Sequence, residues 1–159
     1  KEKTACFTGH RKIASGQQKL VAERLRQTVE NLILNGYCYF GAGGALGFDT
    51  LAANGIVLKK QYSHIKLILV LPCETQTSGW NKEDIDVYEQ IKSQADKVDT
   101  PQKNIQGGVC LRETVIWWIT VVYDSISNRK KGGTAYTVNY AIQKNIKVVN
   151  LAQGFSDVK

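Results

Sequence analysis

Two continuous apolar stretches, Ile65–Leu71 (IKLILVL) and Ile116–Tyr123 (IWWITVVY), constrain this chain more than any other feature. A strand with one solvated face alternates apolar and polar residues. A strand that is apolar at nearly every position must be covered on both faces, which is the situation of a parallel strand between two helical layers. Parallel neighbours in turn need crossover connections, so helical segments should separate the strands.

The rest of the chain supplies them. Thr4–Phe7 reads as a first strand, followed from Gln17 to Asn35 by apolar residues at Leu20, Val21, Leu25, Val29, Leu32 and Ile33, with Gly36 as the stop. Tyr37–Phe40 reads as a second strand and Asp49–Tyr62 as a second helix. A third helix, Glu83–Ala95, carries the stripe Ile85, Tyr88, Ile91 and Ala95; Lys97–Asp99 follows as a short strand. Thr134–Lys144 and Ile146–Leu151 complete the pattern, with 152–159 expected to fray. Residues 1–159 are therefore expected to form one domain, an α/β three-layer fold with a mostly parallel sheet and helices on both faces.

Bulk properties narrow the function. There is no apolar run long enough to span a bilayer and no signal-peptide pattern, since Lys1–Thr8 already reads as a buried strand. The four cysteines, Cys6, Cys38, Cys73 and Cys110, form no CxxC pair, and the two histidines lie far apart. Free thiols in a reducing, cytoplasmic setting are expected, with no metal site and no required cofactor. The formal charge of +7 suits an anionic partner without choosing among nucleotide, nucleic acid and acidic protein. Assembly into a homo-oligomer is compatible with the composition.

In sheets of this kind ligands bind beyond the carboxyl ends of the strands, so the loops there carry the functional argument. Thr8-Gly9-His10-Arg11 follows the first strand: Gly9 permits close backbone approach, Thr8 and His10 offer hydrogen bonds, and Arg11 offers a fork for phosphate. An ordinary turn explains the same residues equally well. Gly41–Asp49 (GAGGALGFD) has four glycines in seven residues between a strand and a helix. Such a loop predicts an anion site built from backbone N–H groups and the helix dipole, with Gly43, Gly44, Ala45 and Gly47 lining it. It is neither a P-loop nor a dinucleotide fingerprint, since Gly41, Gly43 and Gly47 give GxGxxxG. Asp49 is read foremost as a helix cap, otherwise as an acceptor for a sugar hydroxyl or amine. Lys131-Gly132-Gly133-Thr134 repeats the logic, with Thr134 as cap and phosphate donor. Between them, Gln76 is positioned to read a base or sugar edge and Trp80 to stack on a ring or to pack beneath its loop.

At these loops the chain resembles a family. TGHR, FGAGGALGFDTLAA, LPCETQTSGW, VVYD and GGTAYTVNYA, spread from Lys3 to Leu151, are similar to the YpsA-like family of bacterial proteins. That family sits in the Rossmann-like, SLOG-type superfamily with the lonely-guy (LOG) cytokinin-activating hydrolases and the DNA-processing protein DprA. The resemblance implies a Rossmann-like fold and a nucleotide-derived ligand. Two departures bear on function. The family's arginine-rich helix before VYD is represented here only by Gly107–Val115, with Arg112 as its remnant. The hydrolases' glutamate after PGGxGT has no counterpart in Gly132–Asn139. Asp49, Glu74 and Asp124 are the candidate substitutes for that acid.

The leading expectation is therefore a binding or sensing module for a nucleotide or ADP-ribose-like ligand. A hydrolase of the nucleotide N-glycosidic bond ranks second, because such cleavage needs a positioned acid. Single-stranded nucleic-acid binding ranks third, because the basic residues are scattered rather than set among stacking aromatics.

Overall fold

The computed structural model describes residues 3–58, 61–71, 74–100, 118–123 and 132–152, the strand at 118–123 as backbone only. Six strands form one sheet in which every neighbouring pair is parallel: β1 (Lys3–Gly9), β2 (Tyr37–Ala42), β3 (Lys66–Val70), β4 (Lys97–Asp99), β5 (Trp118–Tyr123) and β6 (Val148–Asn150). Their spatial order is β4-β3-β2-β1-β5-β6. The chain steps outward from β1 to β4, then returns to place β5 on the other side of β1. The order reverses between β1 and β5, whose register pairs Thr8 with Val122 and Gly9 with Tyr123.

The helices α1 (Gln18–Leu34), α2 (Phe48–Leu58) and α3 (Lys82–Gln94) connect strands stepping in one direction, and α4 (Gly133–Gln143) connects strands stepping in the other. Right-handed crossovers accordingly put α1–α3 on one face and α4 on the opposite one. The packing agrees: α2 touches β1, β2, β3, α1 and α3, whereas α4 touches β1, β5 and β6. Alternate strand residues Phe7, Phe40, Leu67 and Leu69 bury against Val21, Leu25, Val29, Phe48, Ile56, Tyr88 and Ile91, forming the main core. Cys6, Ile68 and Val70 pack together in a separate cluster, as period-two alternation requires.

Helix ends follow local chemistry. The Asn81 side chain accepts the Asp84 N–H at 2.8 Å to start α3, and Glu83 and Asp84 complement its positive end. The expected second helix is shorter than its apolar pattern: α2 stops at Leu58 and the chain is turning by Gln61. Ala152, expected to fray with the tail, is buried at 1 % exposure beside Leu151, whose carbonyl accepts Arg24 Nη1 at 2.8 Å. Residues 153–159 lie outside the described residues. Among the described residues no helix is long and apolar enough to cross a membrane.

Candidate functional site at the carboxyl edge of the sheet

Three segments converge at the end of β1: the β1–α1 loop, the β2–α2 loop and the amino end of α4. Phe48 locks the first two together. Its N–H donates to the His10 carbonyl at 3.1 Å, and its ring lies against Gly9, where an added Cβ would come within 2.5 Å of Phe48 Cδ1. Gly47, in the left-handed region at φ 82°, lies so close to the backbone of His10 and Arg11 that a Cβ there would collide with the Arg11 carbonyl. The Thr134 hydroxyl donates to the Gly9 carbonyl at 2.9 Å and ties α4 to the same point.

Asp49 sits at the centre of this junction. It is only 7 % exposed, and the backbone N–H groups of Ala45, Gly43 and Gly9 favour the ionised form of its carboxyl. A Cβ at Gly43 would approach Asp49 Oδ2 to 2.8 Å, so the glycine makes room for the carboxylate. Burial pushes the Asp49 carboxyl up to about 7, against those N–H donors and the nearby Arg11 charge, which all favour the ionised form. The glycine-rich loop thus has the protein's own carboxyl group beside its backbone donors.

This geometry corrects two readings of the sequence. Asp49 lies in the first turn of α2 rather than before it, and its carboxylate turns back onto the loops instead of capping the helix. Thr134 does not cap α4 either; Gly132 occupies that position with no side-chain bond, and the Thr134 hydroxyl is directed at Gly9. The amino end of α2 is similarly engaged, with Thr50 N–H bonded to the Ala45 carbonyl and Leu51 N–H to that of Gly47.

The amino end of α4 is different. Gly132 and Gly133 are exposed, and a Cβ at either would meet nothing within 4 Å among the described residues. No acidic residue occupies the first turn of α4, so nothing within that turn compensates its positive end. It stands beside β1 and β5, at the reversal in strand order.

The remaining candidates are dispersed. Thr8 is buried at the end of β1, His10 is half-buried and Arg11 is exposed. Gln76 is fastened to the β2–α2 loop, its Nε2 donating to the Gly43 carbonyl at 3.2 Å, while its Oε1 is buried with no partner among the described residues. Gly44, at φ 67°, leaves space that a Cβ would take from Leu71 and Tyr88. Trp80 meets Tyr88 edge-on at 5.6 Å and packs against the core, the second of the two roles considered for it. Glu74 is exposed on the turn before α3. Arg112, Asp124 and Lys131 lie outside the described residues. No cluster of His, Cys, Asp or Glu suited to a metal occurs among the described residues. Cys6 is a buried free thiol pushed up by burial and then by the Asp49 charge, hence chemically inert. Sequence reasoning missed Phe48, the wedge between the two loops; its place directly before Asp49 in an otherwise small-residue segment was the available signal.

Comparison with known proteins places this architecture. Residues 7–151 match the YpsA model, the YspA SLOG family. The chain belongs to this family. Within curated YpsA-type relatives it is 38% identical over 58 residues to a UPF0398 protein of Brevibacillus brevis, covering 36% of this chain and 31% of the relative. It is 28% identical over 78 residues to a UPF0398 protein of Levilactobacillus brevis, covering 48% and 41%. The matches thus span less than half the length of either relative. Among solved structures, DNA processing protein A of Helicobacter pylori, described for its single-stranded DNA binding mode, superposes with a TM-score of 0.59 at 16% identity, covering 93% of this chain and 64% of that one. The Moco carrier protein of Chlamydomonas rheinhardtii gives 0.55 at 18%, covering 94% and 76%. At such identities the likeness establishes the Rossmann-like α/β fold and nothing finer.

Proposed function

We propose that this YpsA-family chain is a binding or sensing module for a phosphate-bearing nucleotide or ADP-ribose-like ligand, held where the strand order reverses. The observation that carries the reading is the open amino end of α4 at Gly132–Gly133, with no acidic residue in its first turn and anchored to β1 through Thr134. The ligand's phosphate lies over Gly132 and Gly133, and its sugar or base reaches toward Thr8 and His10. Binding is favoured over N-glycosidic hydrolysis because Asp49, the one buried carboxylate at the junction among the described residues, has the loop N–H groups of Gly9, Gly43 and Ala45 about it rather than a substrate. The compartment consistent with this ligand is the cytoplasm.

Isothermal titration of the full chain against a panel of nucleoside phosphates and ADP-ribose tests the proposal. Saturable binding that Gly133→Asp abolishes supports it; no heat with any member at millimolar concentration refutes it. Single-stranded DNA belongs in the same experiment, since a structural neighbour binds it and the chain is basic. Binding to DNA alone, weakening steeply with salt, replaces the nucleotide reading with a DprA-like one.

A further inference from the structure

Away from the α4 mouth, a cleft of about 560 Å³ opens where the β1–α1 loop, the start of α1, the start of α2 and the start of α3 meet. Its volume falls within the roughly 300–1,000 Å³ typical of small-molecule sites. Arg11 and Lys12 line it, both exposed, and Ile13, Leu46 and Leu51 give it an apolar wall. Ile13 and Leu51 pack on the main core from behind, so this wall is held by the folded interior rather than by a free loop.

The electrostatics are predominantly positive. Gln18, the first residue of α1, lines the cleft, and α1 begins with neither a side-chain cap nor an acidic residue in its first turn. The positive end of a 17-residue helix therefore adds to the two cations. Asp84 is the one carboxylate in the lining, and it is drawn to Asn81 Nδ2 at 2.9 Å in the α3 cap. A ligand with one anionic head is stabilised by Arg11 and Lys12; a second anionic group would meet Asp84. The backbone of Arg11 is fixed by its close contact with Gly47, so the guanidinium emerges from a rigid base.

We propose that this cleft is a second binding site, for a small organic anion with a single charged head and an apolar or aromatic body. Its Arg11 follows His10 of the strand-reversal site in sequence, but the proposal does not rest on that site, because none of His10, Gly132, Gly133 or Thr134 lines the cleft.

The test is a titration of the ¹⁵N-labelled full chain with phenyl phosphate, with phenol as the uncharged control. Saturating amide shifts are expected at Ile13, Leu46, Thr50 and Leu51 with phenyl phosphate and not with phenol. Arg11→Gln/Lys12→Gln should weaken those shifts about tenfold or more, as loss of two cations at contact distance requires. Both side chains are exposed, and an unchanged spectrum elsewhere verifies the fold. The proposal is overturned if phenyl phosphate shifts only the amides at 132–135, if phenol binds equally well, if the double variant binds unchanged, or if nothing moves at millimolar concentration. Shifts at the cleft without shifts at 132–135 support this proposal, and the nucleotide titration decides the strand-reversal reading separately.

Discussion

Stability should fall as pH rises from about 4 to about 7, and Asp49 is the group responsible. In the unfolded chain its carboxyl titrates near its ordinary value of 3.8, while burial raises it to about 7 in the folded protein. Between those values the folded state holds a proton that the unfolded state has released. The slope of stability with pH is therefore negative there and vanishes above and below. A difference of roughly 3 units corresponds to roughly 4 kcal/mol, a large share of the ~5–15 kcal/mol that stabilises a typical domain. Urea denaturation of the wild type and Asp49→Asn at several pH values separates this contribution from those of other groups. The amide retains one acceptor but turns an NH₂ toward loop N–H donors, so Asp49→Asn should cost about 1–3 kcal/mol at low pH. That deficit should shrink or invert by pH 8, where the wild type must bury a charge. Parallel stability curves for the two proteins would refute the assignment of Asp49 as a buried carboxyl with a raised titration point.

Gly133→Asp should raise the thermal midpoint by a few degrees, since it replaces glycine within a helix and complements the dipole at α4, yet weaken a phosphate ligand by roughly 1–3 kcal/mol through like-charge repulsion; calorimetry and ligand titration on one preparation read both. Gly47→Ala should destabilise by at least ~2 kcal/mol, from left-handed strain and collision with the Arg11 carbonyl, measured by denaturant midpoint. Thr134→Val should cost about 1 kcal/mol in global stability by removing the donor to the Gly9 carbonyl, with greater loss of hydrogen-exchange protection at 132–136 than elsewhere.

The architecture was legible because it rests on local periodicity. The apolar stretches at 65–71 and 116–123 marked β3 and β5, and the spacing from Leu20 to Ile33 marked α1. The family was legible because its motifs are contiguous words. The chemistry of the glycines was not. Glycine at 9, 43 and 47 reads identically whether a ligand, a phenyl ring, a carboxylate or another backbone occupies the vacated space. In each case here the occupant, Phe48, Asp49 or the Arg11 backbone, comes from within the protein. Asp49 looked like a cap because capping is a local property, whereas its actual partners are N–H groups from two loops about 35 residues apart in sequence.

The central position of β1 has a consequence for how the molecule is made. β1 hydrogen-bonds to β2 soon after it in sequence, but its other neighbour, β5, arrives more than a hundred residues later, and the Thr134–Gly9 bond spans 125. The half-sheet β1–β4 can pair by short-range closures, while the edge that closes the strand-reversal site waits for the last third of the chain. Such distant pairing makes for slow folding. During synthesis on the ribosome the nascent chain would therefore present an unpaired edge of β1 until β5 emerges. That edge, and not the finished surface, is the segment most in need of a chaperone.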